Sequence, residues 1–69
     1  MKYIYVEQFK DGHQFRQAFN NKAEAIGFAN MHFERNPDIK RACVVETEEE
    51  DPNLKEWING HEIKVLTDN

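Results

Sequence analysis

The sequence predicts an α+β fold: a two-layer ββαβ(α)β domain with one main helix packed on one face of a mostly antiparallel sheet. Three observations carry this. Asn21 to Asn36 is an amphipathic stretch with both helix ends written in. Asp11-Gly12 separates two alternating, strand-like segments. Two further strand-like runs, Ile39 to Thr47 and Glu62 to Leu66, follow the helix.

Met1 to Phe19 reads as a β-hairpin. Lys2 to Phe9 is rich in aromatic and β-branched residues, Asp11-Gly12 is a two-residue turn signal, and His13 to Phe19 returns. With that loop Lys10 faces His13 and Glu7 lands opposite Arg16, a favourable cross-strand pair. Ile4, Val6, Phe15 and Phe19 then share one face, and Tyr3, Tyr5, Phe9 and Ala18 the other. A bulged three-residue loop would shift this register.

In the helix, Asn21 serves as N-cap and Glu24 completes an N-x-x-E capping box. Asn36-Pro37 ends it, because the residue before a proline is pushed out of the α region. At about 100° per residue, Ile26, Ala29 and Phe33 form the expected core face, flanked by Ala25 and Ala23. Phe28 and Met31 fall on the other side, among Glu24 and Arg35, as scattered surface apolars or as a stripe facing a partner. Gly27 costs roughly 1 kcal/mol against Ala in mid-helix unless something approaches closely there.

Ile39 to Thr47 sets Ile39, Cys43 and Val45 on one side and Ala42 and Val44 on the other. Glu46, Glu48, Glu49, Glu50 and Asp51 follow within six residues. Such a run discourages strand addition as a solvated edge. Asp51-Pro52 then opens a short segment with Leu54, Trp57 and Ile58 at helical spacing, closed by Asn59-Gly60. The competing reading makes Asn59-Gly60 a hairpin turn. Glu62 to Leu66 is the last strand, with Ile63 and Val65 inward. Residues 1–69 form a single small globular domain.

Composition bounds the function. At 69 residues, folding hides only about 60% of the unfolded chain's surface, so self-association is an attractive way to cover more. Cys43 is the only cysteine and sits in an apolar strand, an inert core thiol with no disulfide partner. His13, His32 and His61 lie far apart, without metal spacing. With no signal peptide and no apolar run near the length of a membrane span, the expectation is a cytoplasmic protein away from membranes. Net charge is −4. It is polarised: residues 1–45 carry seven Lys/Arg against five Asp/Glu, and residues 46–69 two against eight.

No catalytic constellation, cofactor motif or calcium-loop pattern is present, so an enzyme is not expected and no cofactor is implied. Nucleic acid is not the expected partner either: the acidic net charge repels phosphate and no RNA-binding aromatic signature occurs. Phe19-Asn20-Asn21-Lys22-Ala23-Glu24-Ala25, following a hairpin, resembles the F-x-T-K-x-E-A junction of small hairpin–helix domains. Some of those are arm-type DNA-binding modules of integrases. Asn21 replaces the usual Thr, the basic strands are missing, and no function follows from the likeness.

One helix covers one sheet face. On the expected register Tyr3, Tyr5, Phe9, Ala18, Ala42 and Val44 are left over, to be covered by the Trp57 segment or by a second chain. The expected function is therefore a non-catalytic protein–protein interaction module, with a partner protein or in a homodimer. Its contact candidates are Tyr3, Tyr5 and Phe9, or Phe28 and Met31, with Trp57. The alternative is an acidic decoy, phage- or mobile-element-like, that uses Glu46 to Asp51 to dock on the basic surface of a nucleic-acid-binding protein.

Overall fold

The computed structural model describes residues 1–48 and 60–67. Among them the order is β1 (Lys2–Phe9), β2 (Gln14–Phe19), α1 (Lys22–Arg35), β3 (Ile39–Thr47) and β4 (His61–Thr67). The strands form one antiparallel sheet in the order β2-β1-β3-β4, with α1 packed against it. This is the expected α+β architecture. The second short helix expected over residues 52–59 lies outside the described residues, as do Leu54, Trp57 and Ile58.

The hairpin loop has three residues, not two. Gly12 adopts φ 98°, a left-handed conformation that glycine takes without steric cost. Its N–H bonds Phe9 O at 3.0 Å, and Phe9 N–H bonds His13 O at 2.8 Å. Asp11 Oδ1 accepts from His13 N–H at 2.9 Å, an Asx turn that draws His13 into the strand pair opposite Phe9. The register consequently moves by one residue from the expected one. Glu7 faces Phe15 and Val6 faces Arg16, so the anticipated Glu7–Arg16 pair does not form.

That single step reassigns the faces, because side chains alternate along a strand. Phe15 and Phe19 pair with Glu7 and Tyr3, joining Tyr5 and Phe9 on one side. The helix packs on this aromatic side and not on the Ile4/Val6 side. The core it forms contains Tyr5, Ala25, Ala29, Ile39, Ala42 and Val44, with Tyr3, Phe9, Phe19 and Phe28 packed around it. Two small residues at the centre of the helix face, Ala25 and Ala29, leave room for the Tyr5 ring beneath them. A second cluster, Ile4, Val6, Cys43 and Val45, is buried on the opposite side of the sheet.

Two bulges correct the inward and outward sets of β3 and β4. The β1–β3 register shifts between Gln8 and Phe9, so Lys40 is passed over and Ile39 turns to the helix side with Ala42 and Val44. The β3–β4 register shifts between Val44 and Val45, which turns Ile63 inward. Val65, expected inward, stands opposite Cys43 and is 45% exposed. Gly60, just before β4, runs so close to β3 that a Cβ there would lie 2.5 Å from the Glu46 carbonyl oxygen.

The helix ends behave as the sequence indicates. Asn21 Oδ1 accepts from Glu24 N–H at 3.1 Å. At the other end Asn36 Nδ2 donates to His32 O at 2.7 Å, and Pro37 follows.

Candidate interaction surface

The helix face is wider than the sequence suggested. Ala25 and Ala29 are fully buried at its centre, while Ile26 and Phe33 on one flank and Phe28 on the other are partly buried. Phe28 turns toward β1 and β2. Its ring stands 5.2 Å from Tyr5 edge-on and 5.3 Å from Phe19.

One helical turn on, His32 lies flat against Phe28, with ring centroids 4.9 Å apart and 16° between planes. His32 Nδ1 is 2.7 Å from Glu7 Oε2. The same carboxylate oxygen accepts from the Tyr5 hydroxyl. Glu7 is only 1% exposed, and the Tyr5 hydroxyl and His32 Nδ1 take the place of water at its carboxyl group. Burial and the Glu7 bond both push the Tyr5 phenol well above its ordinary range, burial contributing more. Neither Glu7 nor His32 was singled out by composition. The signal was there: Glu7 continues the alternation Tyr3, Tyr5, Phe9, and His32 continues the stripe Ala25, Ala29.

Outward from His32, the margin between α1 and β2 is apolar and open. Phe15 is 40% exposed with its ring 6.2 Å from His32, and Met31 is 44% exposed. Met31, Glu24 and Arg35 fall within about 60° of Phe28 around the helix axis, the flank that overlooks β2. β2 itself closes one side of the sheet. Phe9 and His13 form a hydrogen-bonded pair. With the two-residue alternation of an antiparallel ladder, Phe15, Gln17 and Phe19 turn their backbone groups to β1. Gln14 and Ala18 turn theirs outward, past the last strand described.

The two margins of the sheet differ. β4 carries a bulge at Ile63, with Glu62 and Lys64 on either side of it, and Glu62 forms an ion pair with Arg41 at 3.0 Å. Bulges and charges are the usual guards against strand addition. β2, Gln-Phe-Arg-Gln-Ala-Phe, has no proline, no bulge and no acid.

The contact residues expected from sequence are distributed unevenly over this geometry. Tyr5 is fully buried, and Tyr3 and Phe9 pack against the core under α1, so none of the three forms a free aromatic face. The register shift and the helix's choice of the aromatic side are the reason. Phe28 is half-buried against Tyr5 and Phe19; Met31 remains exposed. Glu46 sits half-buried in β3 opposite His61, and Glu48 is exposed. Trp57, Glu49, Glu50 and Asp51 lie outside the described residues. Cys43 is buried and free, and burial raises its thiol pKa. Phe15 and Ala18 were assigned to other surfaces by the expected register.

An open depression of about 300 Å³ at the hairpin tip is lined by Phe9, Lys10, Asp11 and Asp38. The carboxyl of Asp11 is drawn below its usual range by the His13 amide and ring. Among the described residues no three metal-ligating side chains converge, and no helix is long and apolar enough to cross a membrane. No family model, curated protein or solved structure matches the chain.

Proposed function

We propose that the protein is a non-catalytic protein–protein interaction module that receives an extended segment along β2. The observation that carries this reading is the contrast between the two sheet margins. β2 offers outward N–H and C=O groups at Gln14 and Ala18, without the bulge and the acid that stand on β4. Main-chain bonds to an added strand supply affinity, and pockets for alternate side chains supply selectivity. Here the side-chain contacts are Phe15 on the strand and Met31 on the overlooking helix flank, with Phe28 and His32 forming the floor between them.

The test separates this surface from the rest of the molecule. Ala18→Pro removes an outward N–H without touching the β1–β2 ladder, and Phe15→Ser removes the exposed ring. Partners recovered from native lysate with the unaltered chain should be lost with both variants and kept with a β4-side control, Val65→Ser. Equal recovery with all four proteins would overturn the reading.

A further inference from the structure

Resting on that reading, we infer that the segment received at the β2 margin carries a basic residue, then an apolar one, then an acidic one, at alternate positions from its N-terminal end. The charges that select this order stand on the flank of α1 that overlooks the margin. Glu24 and Arg35 are both exposed there, and neither takes part in an ion pair among the described residues. Met31, 44% exposed, stands between them on the same flank. A strand added at this margin runs alongside all three.

The direction of α1 decides which charge stands at which end. Phe28 contacts Phe19 and His32 contacts Phe15, so α1 runs opposite to β2. Glu24 therefore overlooks the Phe19 end of the margin and Arg35 the Phe15 end. Every strand pair in the sheet is antiparallel, the arrangement that is also more stable per residue, so the added strand runs opposite to β2 as well. It enters at the Phe19 end beside Glu24, where a lysine or arginine is favoured. It leaves at the Phe15 end beside Arg35, where a carboxylate is favoured. The reverse order brings like charges together at both ends, which is destabilising.

The spacing follows from the two geometries. Along the helix axis Glu24 and Arg35 are about 16 Å apart. An extended strand covers that distance in about five residues, and only every second residue turns toward the helix. The shorter even spacing, four, is closed by the long side chains of the basic residue and of Arg35. The residue midway between the two charges then lies on the same face, beside Met31 and within diagonal reach of Phe15, which is 40% exposed. An aromatic side chain at that place covers both.

Two synthetic peptides of identical composition test the order. One sets lysine, phenylalanine and glutamate at alternate positions of a threonine strand, in that sequence, and the other exchanges the lysine and the glutamate. Each carries a fluorescent label, and binding is read by anisotropy. The unaltered chain should bind the first about tenfold more tightly, the effect of two exposed pairs turned repulsive in the second. The difference should shrink at high salt. Glu24→Lys combined with Arg35→Glu, both at exposed positions, should reverse the preference. Ala18→Pro, whose fold is checked by its amide NMR spectrum, should bind neither peptide. Equal affinity for the two, a preference untouched by salt, a preference that survives the charge exchange, or no binding of either overturns the inferred pattern. If that happens while Ala18→Pro still loses partners that the unaltered chain captures, strand addition at β2 stands with an occupant of another pattern. If capture is also unchanged, both fall.

Discussion

Glu7 is the side chain whose placement costs most and explains most. A carboxylate 1% exposed in a small core is tolerated because the Tyr5 hydroxyl and His32 Nδ1 both reach Oε2. Glu7→Gln keeps the shape but places an NH₂ group where one of these donors points. The expected cost is about 1–3 kcal/mol in urea unfolding. Replacing the whole set, Tyr5→Phe with Glu7→Leu and His32→Leu, should bring stability back to within about 1 kcal/mol of the unaltered chain, since an apolar trio needs no partners. A triple variant no better than Glu7→Gln would mean the rings matter for their shape alone. The same burial sets a pH dependence through Tyr5. Its phenol is raised in the folded chain, so the folded state holds that proton longer than the unfolded state does. Tyr5's contribution is whole below the ordinary tyrosine value of about 10 and shrinks as pH rises beyond it. Alkaline unfolding should begin above about pH 10 and begin later in Tyr5→Phe, judged against the variant's own neutral-pH stability. Identical alkaline limbs in the two proteins would remove Tyr5 from the explanation.

Among the elements, those with capping or turn signals were legible and their registers were not. Asn21 and Asn36-Pro37 bound α1 as written, because caps act through bonds within a few residues. Lys2–Phe9 and Ile39–Thr47 also stand where alternation placed them. The hairpin register failed by one residue because Asp11 spends its side chain on His13 N–H, making Gly12 the third loop residue. Pattern alone could not decide this: Tyr3, Tyr5 and Phe9 against Ile4 and Val6 gives β1 two apolar faces. The bulge at Lys40 is likewise invisible without the neighbouring strand, and it alone reverses Ile39. The contact surface expected from sequence inherited these errors, which is why the open margin at β2 was missed while the now-covered tyrosines were expected to be free. The helix offers a cleaner forecast. Gly27 is exposed, and a Cβ there meets nothing within 4 Å. Gly27→Ala should therefore stabilise the chain by about 1 kcal/mol through helix propensity, raising the urea midpoint without altering its slope. A loss of stability would reveal a close approach at Gly27.

On the scale of the whole molecule, a 69-residue chain that buries a carboxylate under its only described helix has little stability to spare. With a strand added at β2, the chain would gain main-chain bonds on its open margin and cover for Phe15, so that binding and folding draw on the same free energy. Linkage makes the thermal midpoint depend on peptide concentration when the folded form binds and the unfolded form does not. Above the dissociation constant, each tenfold rise in peptide concentration adds about 1.4 kcal/mol. In a domain of this size that corresponds to a rise of roughly 6–11 °C in the midpoint. The unaltered chain should show this dependence by differential scanning fluorimetry with the lysine–phenylalanine–glutamate peptide. Ala18→Pro should melt at one temperature whatever the peptide concentration, because its margin no longer accepts a strand. A midpoint of the unaltered chain that stays fixed over a hundredfold range of peptide concentration would show that the folded chain gains nothing from a strand of that pattern.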